Sequence, residues 1–319
     1  MPAAPPDAVR AAMHGARAPA QAAAQRWRMA AEYRALEAAF ADCRTDAAEP
    51  AADRAARLLE DGGWAAALLA PLVAALTADP FFEPPFRISR DRMRTAAVLF
   101  ESPAAVLTAS VLDAAELAAM VPSATFVFPG MVSVTRYVRA GGAVLRRWRT
   151  DPITPGFHAA AARPAVSLAP LALADGDVQR VDGRTHAQLL SGATADVVTL
   201  VFTIRSGAAP LMREHRVADG MLARVASADD RPSRAEMLLA YLRLEGRADA
   251  GAQFAEASHD PAFQLRWAAI REWLSLDARA ALPRLEEMAA EDPNGEIRAA
   301  AATTLPRVRR RIAEAECRG

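Results

Sequence analysis

The chain has 319 residues, enough for one to three domains with a sizeable buried core. Hydrophobic residues make up 52%, and 38 basic side chains balance 38 acidic ones, so no net field steers the chain toward nucleic acid or an anionic membrane surface. Every strongly basic residue is arginine, which excludes Schiff-base and P-loop lysine chemistry.

Taken in order, the chain begins with an Ala-rich stretch broken by Pro2, Pro5, Pro6 and Pro19, and residues 1–19 are expected to be loose. No basic region followed by an apolar core marks a signal peptide. Over residues 20–43 the pattern is helical, with Trp27, Ala31, Leu36 and Phe40 on one broad stripe. A short helix over 51–60 follows, then an apolar one from Trp64. That run ends by Ala78, short of the roughly 20 residues of a membrane span, and holds Pro71; it reads as a buried helix. Residues 20–80 thus form a helical region.

Beyond the turn-rich tract Phe81 to Arg87 the period changes. Strand-like runs cover 96–101, 105–111, 125–128, 131–139, 143–149, 166–168, 178–181, 185–190, 197–205, 211–217 and 221–225, with a short helix over 113–120. Many short strands with Gly or Pro between them predict an antiparallel sandwich or barrel over 81–227. At Arg231-Pro232 the helical period returns and holds over 228–319. There Phe263, Trp267, Ile270 and Leu274 fall on a single face. Cys43 and Cys317 lie far apart, so neither a disulfide framework nor a cysteine metal site is expected, and a reducing cytoplasm is the default.

The last third repeats with a period of 32: Asp260-Pro261 matches Asp292-Pro293, Leu265-Arg266 matches Ile297-Arg298, and Ala268-Ala269 matches Ala300-Ala301. Arg234 falls on the same register one period earlier. Arg266 and Arg298 are expected at equivalent helix edges, each near a carboxylate. The run Ile297 to Leu305, the Asp-Pro turns and Leu282-Pro283-Arg284-Leu285 resemble HEAT repeats, which implies an α-solenoid and a surface for a protein partner. The alternative is an array that only braces the β region.

The segment Gly176 to His186, GDVQRVDGRTH, resembles the second motif of cupins, in which a histidine enters a β-barrel as a metal ligand. Asp182 replaces the motif's proline, and the Gly-to-His interval is one residue shorter. The first cupin motif carries His-x-His after a glycine; at that spacing from Gly141 stand Arg147-Trp148-Arg149. A guanidinium cannot ligate a metal. The resemblance therefore implies a metal-free cupin-like barrel. Arg147 and Arg149 would share a face with Leu145, opposite Arg146 and Trp148, and with His186 would form a pocket for an anionic small molecule. The alternative is a metal-dependent oxygenase or isomerase that holds Fe, Mn, Ni or Zn through His186, His158 and His215.

The whole is thus expected to be an α+β protein: a helical N-terminal region, a central antiparallel cupin-like β-barrel or sandwich, and a C-terminal HEAT-like α-solenoid. The function expected is non-catalytic binding, with no nucleic acid and no membrane. Hydrolase and dinucleotide motifs are absent.

Overall fold

The computed structural model describes residues 7–43, 47–79, 81–82, 86–154, 157–228 and 230–317. The architecture is α+β, with helices at both ends of the chain and antiparallel sheets between them. The chain gathers into two compact units. The first takes the chain up to Pro122, Met131–Trp148 and Ser167–Ala208; the second takes Ser123–Gly130, Arg149–Val166 and the chain from Ala209 on.

Four helices open the first unit: α1 (Asp7–Met29), α2 (Ala31–Phe40), α3 (Glu49–Glu60) and α4 (Gly62–Ala78). Loose chain was expected through residue 19, but α1 begins at Asp7 and carries Pro19 within it; residues 1–6 of that expectation lie outside the described residues. Ala16, Ala20, Ala24 and Trp27 are buried at helical spacing. Burial of that stripe outweighs the proline, which otherwise weakens a helix interior. The one helix expected over 20–43 is two, because Ala30 adopts an extended backbone between α1 and α2. The Asp61 carboxylate accepts from the Gly63 and Trp64 amides and so caps the start of α4. Among the described residues no single helix is long and apolar enough to cross a membrane.

The main sheet of this unit has six strands, β1 (Arg87–Arg90), β2 (Arg94–Glu101), β3 (Ala105–Leu112), β5 (Val132–Arg139), β8 (Val178–Asp182) and β10 (Val197–Ile204), and a short helix α5 (Ala114–Ala119) follows β3. Their order is β1-β2-β3-β10-β5-β8, and every pairing is antiparallel. One face is apolar and packs on the helices. Leu107, Val134, Leu200, Phe202 and Ile204 join Trp27, Leu36, Phe40, Leu59 and Leu68 in one core, and the rings of Phe40 and Phe202 lie 5.3 Å apart.

Charge fixes α3 on that same face. Arg180 reaches Glu49 and, at 2.6 Å, Asp53; Arg184 reaches Glu49 at 2.8 Å. Glu49 stands in the first turn of α3, where the helix dipole favours a carboxylate. At the other end Arg136 Nη1 donates to the Leu59 carbonyl at 2.7 Å, filling an acceptor that the helix leaves open. A smaller sheet, β7 (Val166–Ala172), β6 (Val144–Arg149) and β9 (His186–Ser191), runs in the order β7-β6-β9.

The second unit holds a three-stranded sheet, β4 (Thr125–Phe128), β11 (Leu211–Arg216) and β12 (Leu222–Ser227), in the order β12-β11-β4. Five helices complete it: α6 (Asp230–Leu244), α7 (Gly251–Ala257), α8 (Phe263–Leu276), α9 (Ala278–Glu291) and α10 (Gly295–Glu316). Helix α8 serves two cores. Leu265 and Ala269 join Leu239 and Phe254, whereas Ile270 joins Leu285, Met288, Ile297 and Ala301. Phe263, Trp267 and Leu274 pack half-buried against this second core, on the face that the sequence spacing predicts.

Candidate functional site

The face of the six-stranded sheet opposite the helices is polar. Its make-up follows from register, because directly paired residues project to the same side. Thr199 pairs with Ser110 on one side and Tyr137 on the other; Val201 pairs with Thr108 and Thr135; Thr203 pairs with Val106 and Ser133. Gln179 pairs with Thr135 and joins them. Three neighbouring strands therefore present seven hydroxyl groups to one face. Ser110, Thr135, Tyr137 and Thr199 are buried, and Thr108, Ser133, Thr203 and Gln179 are half-buried. Ser110 Oγ and Thr199 Oγ1 share a hydrogen bond of 2.8 Å. Burial pushes the Tyr137 hydroxyl up to about 12, so it keeps its proton at neutral pH. The pattern is legible in the sequence as period-two hydroxyls in β3, β5 and β10, which motif-seeking passes over.

The smaller sheet supplies Leu145 and Leu190 to a core with Tyr137, Leu173 and Val197, at one end of the hydroxyl face. Strand alternation then sets Arg147 on the side of Leu145, and His186 and Gln188 on the side of Leu190. The other side of β6 behaves as expected: Trp148 is buried, with the Arg146 guanidinium 5.1 Å from its ring centroid. Arg147 is half-buried and donates from Nε to the Ala169 carbonyl at 3.0 Å. His186 is half-buried, with Nδ1 3.0 Å from Thr185 Oγ1. Strands β6 and β9 are neighbours in one sheet. Arg149 is exposed at the end of β6.

Three carboxylates close in sequence to Arg149 and His186 are engaged elsewhere. Asp151 pairs with Arg163 at 2.7 Å, and Asp177 accepts from the Ala174 amide. Asp182 meets Arg184 at 2.8 Å. Burial pushes the Asp182 carboxyl up, but the Arg184 fork and amide pull it further down, with a smaller pull from His186; the net direction is below the usual carboxylate range.

The histidines of the metal alternative fall apart. Among the described residues no three His, Cys, Asp or Glu side chains cluster as metal ligands. His186 is in the first unit, His158 and His215 in the second. His215 is buried on β11; its Nδ1 donates to the Gly220 carbonyl at 2.8 Å, and its ring stacks on Phe126 with centroids 5.9 Å apart. Burial lowers its pKa below the ordinary histidine value, and Arg213 lowers it further against the opposing pull of the Gly220 carbonyl. It is a neutral core histidine. His158 lies over Gly295, where a Cβ would come within 2.8 Å of Nε2.

In the second unit the Asp-Pro turns border a cleft of about 600 Å³ lined in part by Pro261, Phe263, Arg266, Arg284, Asp292 and Pro293. Its arginines are already bonded: Arg266 to Asp292 through two bonds of 2.9 and 2.7 Å, and Arg284 to Ser258 and Glu287. The cleft has shape, but its cationic groups are committed inside the fold.

No family model matches the chain, and no curated protein sequence does. Solved structures match parts of the chain. A structure of DMSP lyases shares 18% identity over 62% of this chain and 94% of that one, with a TM-score of 0.26. CapF bound to an inhibitor shares 12% identity over 46% of this chain, with a TM-score of 0.25. A sugar phosphate isomerase from a cupin superfamily, from Silicibacter pomeroyi, shares 10% identity over 44% of this chain and 85% of that one, with a TM-score of 0.22. This chain spans 38% of the length of CapF. At TM-scores of 0.22 to 0.26 these likenesses assign neither a family nor an activity to this chain.

Proposed function

We propose that this chain is a non-catalytic binding protein whose cupin-like β region takes a small anionic, hydrogen-bonding molecule without a metal. The hydroxyl face of the six-stranded sheet carries this reading. Hydroxyl groups both donate and accept, so they suit a polar ligand and supply no metal site. Arg147, projecting from the smaller sheet beside Leu145, supplies the positive charge that selects an anion, and His186, on the side of Leu190, adds a hydrogen-bonding ring. Arg149, exposed at the strand end, is not needed. The C-terminal helices in this reading form a HEAT-like repeat that holds a protein partner, supported by the matching contacts of the two Asp-Pro turns.

A thermal-shift series with inorganic phosphate, citrate and glycerol tests the ligand site. An anion at about 100 times its dissociation constant adds about 2.7 kcal/mol. Arg147→Gln and Thr203→Val should each weaken that response while leaving the unliganded midpoint close to wild type. Flat responses to both anions argue against the site. Near one equivalent of Fe, Mn, Ni or Zn in the purified protein, lost in His186→Ala, would replace it with a metal enzyme.

A further inference from the structure

A second surface lies in the helices of the second unit, in a groove of about 960 Å³ formed by α6, α8, α9 and α10. Arg243, Arg271, Arg279, Arg307 and Arg311 line it, against one carboxylate, Glu272. Glu272 is bonded to Arg243, and Arg271 lies 4.0 Å from it. Arg307 and Arg311 are exposed and have no carboxylate partner among the described residues. They stand four apart on α10, on the face that also carries Val308 and Ile312. The chain as a whole carries no net charge, so this excess is local.

The floor of the groove is aliphatic. Val308 is buried, and Leu274, Leu276 and Ile312 are half-buried beneath the arginines. We propose that the groove docks an acidic, partly apolar peptide segment of a partner protein. Carboxylates of the segment would meet Arg307 and Arg311, and its aliphatic side chains would settle on Leu274 and Ile312. A nucleic acid fits less well: single strands bind on aromatic stacking platforms, and no lining residue of the groove is aromatic. The occupant adds a partner chemistry to the helical repeat and is independent of the ligand site on the β sheet.

The test uses the full chain and a fluorescein-labelled peptide of about twenty residues with Glu and Leu at helical spacing. Anisotropy should show saturable binding that weakens as salt rises. Arg307→Gln with Arg311→Gln should weaken it several-fold, and Arg307→Glu with Arg311→Glu by about tenfold or more. The exposed, unpaired arginines make these variants neutral for folding, which an unchanged thermal midpoint verifies. Arg147→Gln, in the other unit, should leave peptide binding unchanged, so the two sites fail or stand separately. Equal binding of a Lys/Leu peptide, or no effect of charge reversal, overturns the groove as an acidic-segment site. Tighter binding of a short single-stranded DNA, lost in the same variants, overturns it in favour of nucleic acid.

Discussion

The two Asp-Pro turns of the second unit are alike in sequence and differ in depth. In each, the aspartate side chain accepts from the amide two residues on: Asp260 from Ala262 and Asp292 from Asn294, both at 2.8 Å. In each, the arginine six residues after the aspartate donates to that aspartate's backbone carbonyl: Arg266 to Asp260 at 3.0 Å, and Arg298 to Asp292. In each, the carboxylate also meets an arginine from an earlier helix, Arg231 for Asp260 and Arg266 for Asp292. The ionic pairs sit in different surroundings. The Arg266 and Asp292 side chains are 9% and 0% exposed, whereas those of Arg231 and Asp260 are 57% and 13% exposed. A repeated sequence thus fixes the backbone bonds of each turn; the neighbouring helices decide which arginine meets the carboxylate and how deeply the pair is buried.

The largest expected effect breaks the inner pair from one side. Arg266→Ala leaves the Asp292 carboxylate buried without its counter-charge, a change that costs roughly 3–5 kcal/mol when a buried pair loses one partner. Arg231→Ala exposes the outer carboxylate to water and should cost about 1 kcal/mol or less. Urea midpoints of the two variants measure the contrast. Equal losses would remove the distinction of depth.

Acid sharpens the same comparison. Burial pushes both carboxyls up, but the arginine contacts and turn amides pull them further down, so both lie below the ordinary aspartate range. A carboxyl depressed in the folded state contributes stability that is present above its unfolded value, about 3.9, and fades as pH falls through the folded value. Wild type should therefore lose stability progressively below about pH 5. Asp292→Asn should flatten that acid limb more than Asp260→Asn, because its partner guanidinium is the buried one. Stability measured from pH 3 to pH 7 reads both slopes, and a steeper loss in Asp292→Asn than in wild type contradicts the assignment.

What the sequence allowed to be read follows the same division between local and non-local information. Apart from β1, which the sequence reading missed, the strands and the five C-terminal helices lie close to where periodicity and turn residues place them, because those signals are local. The period of 32 set Arg266 and Arg298 at equivalent places, where each bonds its turn's backbone carbonyl, but of the carboxylates expected near both it gave only the Asp292 partner of Arg266. It did not locate the partner of Asp260: the register pointed to Arg234, and Arg231, one helical turn earlier, makes the pair. Helix α1 escaped because prolines weigh heavily in a local reading, whereas the buried stripe of Ala16, Ala20, Ala24 and Trp27 needs partners far along the chain. In the candidate site, the two faces of β6 were legible from alternation alone. The period-two hydroxyls of β3, β5 and β10 were legible strand by strand; that they make one face was not, because that face exists only once β10 pairs with both β3 and β5.

The smallest expected effect isolates the part of the turn that both repeats share. Arg298 stands on an exposed position, and its recorded bond goes to the Asp292 backbone carbonyl rather than to a carboxylate. It lies near Gly295, where a Cβ would come 3.4 Å from its Nη2. Removing it by Arg298→Ala leaves the Asp292 carboxylate with its Arg266 fork and its Asn294 amide, so no buried charge is orphaned. The bond to that carbonyl is part-buried. The cost is then that of a single hydrogen bond at an exposed arginine, about 0.5–1.5 kcal/mol. Arg266 makes the same carbonyl bond in addition to its fork, so the difference between Arg266→Ala and Arg298→Ala reports what the buried fork adds. A double-mutant cycle of Arg298→Ala with Asp292→Asn should show coupling below about 0.5 kcal/mol, since the two side chains share a backbone unit and not an ion pair. Coupling of several kcal/mol would mean that Arg298 reaches the carboxylate in solution, and the two turns would then be equivalent in their ion pairs as well as in their backbone bonds.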